Sequence, residues 1–117
     1  MHDYKKLKIW ENSIDLVVDI YDFTKSFPKE EIYGLTSQIR RSAVSIPSNI
    51  AEGCGRNSNK EMLNFLSYSN GSSAELDTQL IIANRLSFLS NENYEKIQDK
   101  LNHIQKMNYK LRDKIII

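Results

Sequence analysis

The sequence has few residues that break helices, a single cysteine and no long apolar run. Four Gly and two Pro in 117 residues disfavour a β fold rich in tight turns and favour long helices. The lone Cys54 cannot form a disulfide within the chain, so nothing points to secretion. No segment approaches the roughly 20 apolar residues of a membrane span, and no apolar stretch of signal-peptide length follows the early lysines. We therefore expect an all-α, cytoplasmic protein without a membrane partner.

The chain also lacks the patterns that support catalysis or the binding of a cofactor. It contains no P-loop, no G-x-G-x-x-G and no G-x-S-x-G motif. A di-iron centre in a helical bundle needs Glu-x-x-His pairs, and neither His2 nor His103 has a Glu three positions before it. Cys54 has no identifiable base beside it in the sequence. The sequence therefore predicts a protein that is not an enzyme and holds neither a cofactor nor a metal.

The apolar content is sufficient for one hydrophobic core. A chain of 117 residues, 40% of them hydrophobic, fits one domain spanning residues 1–117 and not two. A domain of this length buries roughly 65% of its unfolded surface, which is enough for a core without disulfides or metals. Sixteen Lys and Arg face fifteen Asp and Glu, so the formal net charge is only +1. The total charge alone therefore indicates no particular ligand.

Four segments with helical periodicity are separated by Gly, Pro and Asn residues. We predict helices over about 4–26, 28–52 and 58–89, and a fourth from about 92 almost to the end. Ser58 and Glu61 have the spacing of a capping box, and the small residues at 69–73 would let a neighbouring helix approach closely. Apolar residues in the last three segments recur in steps of three and four, as in bundles. Because the loops are short, the expected fold is an antiparallel up-down-up-down four-helix bundle.

Helix 1 has a wider apolar face than the core of a bundle requires. Its apolar residues spread over about 220° of the helix, against the ~100° that a core-facing helix needs. The surplus would face water in a monomer, and an exposed patch of that size is typical of an interface. We expect the chain to be a homo-oligomer whose contact includes Leu16, Ile20, Phe23 and Phe27. The alternative is that loops cover these residues within one chain.

Helix 2 carries a polar stripe that is displaced from its apolar positions. The stripe consists of Gln38, Arg41, Ser45, Asn49 and Glu52, which helical spacing places on one face. It is either a solvated surface or a polar seam at a subunit contact, for which Gln38, Arg41 and Asn49 are the candidates. Pro47 lies inside the same helix and predicts a kink.

The predicted topology separates charges that the net value conceals. It brings the start of helix 1, the turn before helix 3 and the end of helix 4 to one end of the bundle, which we call the basic pole. Nine cations lie there against four carboxylates, for a net charge of +5, and the opposite pole has a net charge of −2. The nine cations are Lys5, Lys6, Lys8, Arg56, Lys60, Lys106, Lys110, Arg112 and Lys114. Such a cluster would bind the phosphates of RNA or DNA with little sequence preference, unless it is only a solubilising surface.

One long stretch resembles a known family. Residues 27–53 read FPKEEIYGLTSQIRRSAVSIPSNIAEG, and the pattern continues through Gly55-Arg56, Phe65-Leu66, Gly71-Ser72 and the ELDTQL of residues 75–80. This pattern resembles the 23S rRNA-intervening-sequence proteins, also called the four helix bundle protein family. The resemblance implies a bacterial up-down bundle with relatives that assemble as a homopentameric barrel. It also implies similarity to the accessory variability proteins of diversity-generating retroelements, which bind nucleic acid and a reverse transcriptase.

Two functions follow from these observations. The first is a non-enzymatic homo-oligomer, pentameric if it follows the resemblance, that binds RNA or another nucleic acid through the basic pole. The second is a protein–protein adaptor that docks a polymerase-type partner and makes no direct contact with nucleic acid. In the second case the charges serve only to orient the partner.

Overall fold

Four helices make up most of the chain. The computed structural model describes residues 3–116, so His2 lies outside the described residues. The helices are α1 (Lys8–Thr24), α2 (Leu35–Cys54), α3 (Asn59–Arg85) and α4 (Asn91–Asp113), and single 3-10 turns occur at Tyr4–Lys6 and Lys29–Glu31. Consecutive helices pack together and α1 also packs against α4. This is the predicted up-down-up-down bundle, 45 Å long and 24 × 20 Å across. Among the described residues, no helix combines the length and the apolar character needed to cross a bilayer.

The helix start at Ser58 is the one that the sequence predicts, and α4 begins within one residue of its predicted start. The side-chain oxygen of Ser58 accepts a hydrogen bond from the backbone N–H of Glu61 at 3.1 Å. Ser90 caps α4 in the same way, accepting from the N–H of Asn93 at 3.2 Å. Each cap satisfies a backbone donor that has no partner within its helix.

Three other predicted boundaries are wrong for local reasons. Helix α1 begins at Lys8 and not near Tyr4, because Leu7, with φ −81° and ψ 128°, is extended between the first 3-10 turn and the helix. Helix α2 begins at Leu35 and not near Pro28, because a 3-10 turn and Gly34, with φ −111° and ψ −115°, intervene. The carboxylate of Glu31 then accepts from the N–H of Leu35 at 3.1 Å. Helix α3 ends at Arg85 and not near Leu89. There Ser87 adopts a φ of 64°, and the N–H of Phe88 bonds back to the carbonyl of Ala83 at 2.9 Å, which closes the helix in a Schellman motif.

Helices α2 and α3 form the most extensive contact in the bundle. The buried hydroxyl of Ser69 donates to the backbone carbonyl of Ile46 on α2 at 3.0 Å. Gly53 lies so close to α3 that an added Cβ would be 3.0 Å from the Cβ of Phe65. The Ser69 bond confirms the predicted close approach at the first of the small residues of α3, whereas Gly71 faces open space. The core of the bundle includes the fully buried residues Ile39, Ile46, Ile50, Leu66, Leu76, Leu80 and Leu101.

The prediction for the exposed side of helix 1 is wrong for three of its four residues. Leu16 and Ile20 are completely buried within the chain and Phe27 is only 7% exposed, so these side chains cannot contact a second copy. Phe23 is half-buried in the groove between α1 and α4, beside Ile97. The core therefore accepts the half of α1 that the sequence interpretation assigned to an interface.

Two hydroxyls lie on the buried side of α1, which made this side harder to recognise from the sequence. Ser13 and Thr24 are buried, although their polarity suggests a solvent-facing position. Their hydroxyls donate to the carbonyls of Trp10 at 2.8 Å and Ile20 at 2.7 Å within the same helix. A short hydroxyl that bonds its own helix can be buried at little cost. Helix α1 therefore buries this face although it carries two polar side chains.

Candidate nucleic-acid interface

The basic pole is built from three pieces of chain that meet at one end of the bundle. The first 3-10 turn carries Lys5 and Lys6 and packs against α1 and α2. The side-chain amide of Asn59, at the start of α3, donates to the carbonyl of Ile116 at 2.7 Å and so joins that start to the end of α4. All nine predicted cations are exposed except Arg112, which is half-buried.

Most of these cations keep their charge free of carboxylate partners. Within residues 3–116, none of the seven lysines of the basic pole has its ammonium group within 4.0 Å of a carboxylate. Arg56 is different, because it pairs with Glu52 at 2.7 Å and lies 4.5 Å from the ring centre of Phe65. The lysines therefore carry most of the charge that is available to a polyanion.

The middle of α2 adds less to this surface. Arg40 is held at the end of α1, where its Nε donates to the hydroxyl of Thr24 at 2.9 Å and its guanidinium lies 4.6 Å from the ring centre of Tyr21. There it partners a helix C-terminus whose last turn has no basic residue of its own. Arg41 is exposed. Within the polar stripe, Gln38 is also exposed, while the half-buried Asn49 donates to the carbonyl of Ser45 at 2.8 Å.

A groove between α3 and α4 opens on the basic pole. We call it the Tyr109 groove; it has a volume of about 330 Å³ and is lined by Leu63, Ser67, Tyr109, Arg112 and Asp113. The Arg112 guanidinium lies 5.3 Å from the centre of the Tyr109 ring, and its Nη1 donates to the Ser67 hydroxyl at a long 3.4 Å. Its Nε is buried and has no hydrogen-bond partner among the described residues. The sequence analysis placed Arg112 at this pole but missed the groove.

Two exposed apolar surfaces consist of residues that the sequence analysis did not assign to an interface. The apolar patch lies on α1 and α2 and contains Trp10, Ile14, Val17, Val18, Tyr21 and Val44, of which Val18 is 62% exposed. The α3 stripe contains Tyr68 and Ile82 of α3 and Leu86, the residue directly after the helix, all exposed. Their separations of fourteen and four residues place them on one helix face. That spacing could have revealed the stripe once the core positions of α3 were assigned.

Other reactive groups do not gather into a site. Cys54 is buried, and its burial raises the pKa of the thiol. In residues 3–116, no three His, Cys, Asp or Glu side chains come together in a way that could hold a metal ion.

Comparison with known proteins agrees with the architecture. The sequence pattern of the 23S rRNA-intervening sequence proteins matches residues 5–110. The chain is similar to a solved structure from Bacteroides thetaiotaomicron, a protein of unknown function from the S23 ribosomal protein family. The TM-score is 0.80 at 24% identity, over 89% of this chain and 97% of that chain. At that identity the likeness shows the fold alone. A comparison with curated proteins found no match.

Proposed function

Because this chain belongs to the family of 23S rRNA-intervening sequence proteins, we propose that it is a non-enzymatic, self-associating bundle that binds RNA or another nucleic acid through the basic pole. The observation that carries the proposal is the group of seven exposed lysines at one end, without carboxylate partners in residues 3–116. Each lysine that neutralises a phosphate releases condensed counterions, which favours binding. The opposite pole is net negative, so a polyanion would approach from the basic end only.

A mobility-shift series tests this proposal directly. The protein is titrated into an rRNA fragment and into duplex DNA at about 50 mM salt and at increasing salt, where affinity should fall steeply. Replacing Lys106 and Lys110 by Gln should weaken binding and reduce the logarithmic salt dependence by about two units, since two phosphate contacts are lost.

The matched control removes two lysines from the other pole. Replacing Lys25 and Lys96 by Gln makes the same charge change at exposed sites and should leave affinity nearly unchanged. Equal losses in the two double variants would place the binding surface elsewhere. No binding of any nucleic acid at ~50 mM salt would overturn the proposal.

Self-association is the second part of the proposal. A ring with an odd number of subunits needs two different surfaces on each subunit, because each interface joins the front of one copy to the back of the next. The apolar patch and the α3 stripe are two such surfaces, on different helices. We propose that they meet in a ring, which the family resemblance suggests is a pentamer. A ring would repeat the basic pole around one axis and raise the local positive potential.

The adaptor hypothesis has a distinct experimental signature. A protein that assembles but binds no nucleic acid, and that captures a polymerase-type protein after nuclease treatment, would act as an adaptor. Loss of this capture in a nuclease-treated sample would instead show that nucleic acid bridges the two proteins.

A further inference from the structure

We infer that the Tyr109 groove binds one unpaired nucleotide, with its base stacked on Tyr109 and its phosphate held by Arg112 and a neighbouring lysine. The inference rests on the proposed function, since it specifies which form of nucleic acid the basic pole selects. A base that is paired within a duplex cannot reach an aromatic side chain in this way, whereas an unpaired base can. The basic pole should therefore prefer single-stranded segments to duplex of the same length.

Tyr109 supplies the stacking surface. Its side chain is 64% exposed, although it lies beside the buried Asn108 on the last turns of α4. The nearby Arg112 guanidinium limits the orientations that the ring can adopt. An aromatic ring that is both exposed and restrained is well suited to stacking, because little conformational entropy remains to be lost on binding.

Arg112 supplies an unused hydrogen-bond donor. Its Nε is buried and unpaired among the described residues, and its one bond, to Ser67, is long. A buried guanidinium N–H without an acceptor costs free energy, so a small rotation of the half-buried side chain that presents it to a ligand oxygen would remove that cost. The planar guanidinium matches two phosphate oxygens at once.

The remaining lining residue gives the ligand an orientation. Asp113 would repel a phosphate placed next to it, but its carboxylate can accept a hydrogen bond from an N–H group on the edge of a base. Lys106 and Lys110 are exposed on the same part of α4 and can hold the phosphate. A groove of about 330 Å³ is at the lower end of the volumes that enclose small ligands.

The experiment compares a fluorescent single-stranded RNA with a blunt duplex of equal length, by anisotropy at fixed salt. Tyr109→Ala should weaken single-strand binding about ten-fold, as expected for loss of one stacked base, and change duplex binding less than two-fold. Tyr109→Phe keeps the ring and should retain the wild-type preference. The salt dependence of Tyr109→Ala should equal that of the wild type, because stacking releases no counterions.

Two further variants complete the design. Arg112→Lys keeps the charge but loses the Nε donor and the planar group, so it should weaken the single-strand complex and spare the duplex. Tyr33→Ala is the matched control, since Tyr33 is 96% exposed and belongs to the opposite pole. Far-UV circular dichroism confirms that each variant is folded.

The outcomes separate this inference from the proposed function. If the wild type binds nucleic acid but Tyr109→Ala weakens both probes equally, or neither, the inference is overturned and the proposed function stands. If the wild type binds neither probe at about 50 mM salt, the proposed function fails and the inference fails with it.

Discussion

Val18 and Ile20 are two positions apart on α1 and occupy opposite environments. Val18 belongs to the apolar patch and is mostly exposed, whereas Ile20 is completely enclosed. Both are β-branched and strongly apolar, so residue type alone does not indicate which one faces the core. The hydroxyls of Ser13 and Thr24, on the same side of the helix as Ile20, bond to carbonyls of their own helix, so this face can be buried despite its two polar side chains.

A pair of matched substitutions tests this orientation. Ile20→Asp should lower the free energy of unfolding by at least about 3 kcal/mol or prevent folding, because an unpaired carboxylate would be buried. Val18→Asp should change it by less than about 0.5 kcal/mol when monomers are compared, since the new charge is solvated. Thermal unfolding followed by circular dichroism measures both. Similar stabilities for the two variants would mean that α1 is rotated differently.

Cys54 should be slow to react in the folded protein. Its burial hinders access to the thiol and raises its pKa, so less of the nucleophilic thiolate is present at neutral pH. Alkylation by iodoacetamide, followed by intact mass, should be much slower in the folded protein than in urea. The rate in the folded protein should still be rising at a pH where a free thiol has reached its plateau. Equal rates in the two states would contradict the burial of this side chain.

At the scale of the helices, two glycines differ in whether the surrounding structure has room for a side chain. An added Cβ at Gly53 would also approach the carbonyl oxygen of Met62 to 3.2 Å, so both contacts involve atoms at or near the α3 backbone. Gly71 lies within α3 and is exposed, and an added Cβ there would meet nothing within 4 Å. Only the first glycine is needed for packing.

The corresponding alanine variants should therefore differ in sign. Gly53→Ala should destabilise the fold by about 1–3 kcal/mol, because the α2–α3 contact would have to open. Gly71→Ala should stabilise it by up to about 1 kcal/mol, since alanine loses less backbone entropy in a helix. Urea unfolding measures both changes in free energy. A destabilised Gly71→Ala would indicate a neighbour at that position, such as another subunit.

The sequence predicts the helices better than it predicts where they end. The cap at Ser58 and most core positions of α2, α3 and α4 follow from local spacing, but Ile32 and Leu86, which share that spacing, are exposed. The end of α3 does not, because it depends on a left-handed Ser87, a conformation that serine adopts far less readily than glycine. The later start of α2 depends on the Glu31 carboxylate, which accepts a hydrogen bond from the N–H of Leu35. The sequence analysis placed Glu31 inside the first turn of the predicted helix and therefore did not consider it as a cap.

At the scale of the whole molecule, the topology of the bundle determines which charges lie at each end, and the sequence analysis could predict this distribution. The order and direction of the helices are sufficient to place the nine cations at one end. The Tyr109 groove could not be found in this way, because it depends on how closely α4 approaches Leu63 and Ser67 across the bundle. The same limit applies to the apolar patch, which depends on the rotation of α1.

The proposed assembly should be detectable from the molar mass of the protein in solution. Light scattering on the purified protein should give a value near that of five subunits of 13.6 kDa each, because a ring would bury the apolar patch and the α3 stripe. Val18→Asp should shift the mass towards that of one subunit while leaving the helix content unchanged. A wild-type monomer at micromolar concentration would contradict the proposed ring.

The chain has one tryptophan, and it lies in the apolar patch. Trp10 is half-buried, and its ring meets that of Tyr4 edge-on at 5.3 Å. Indole emission shifts to shorter wavelength when water is excluded, so a neighbouring subunit on this patch should move the emission maximum to the blue. The only indole of the molecule is thus an intrinsic optical probe for the surface through which the copies are proposed to meet, and dilution can be followed without any label.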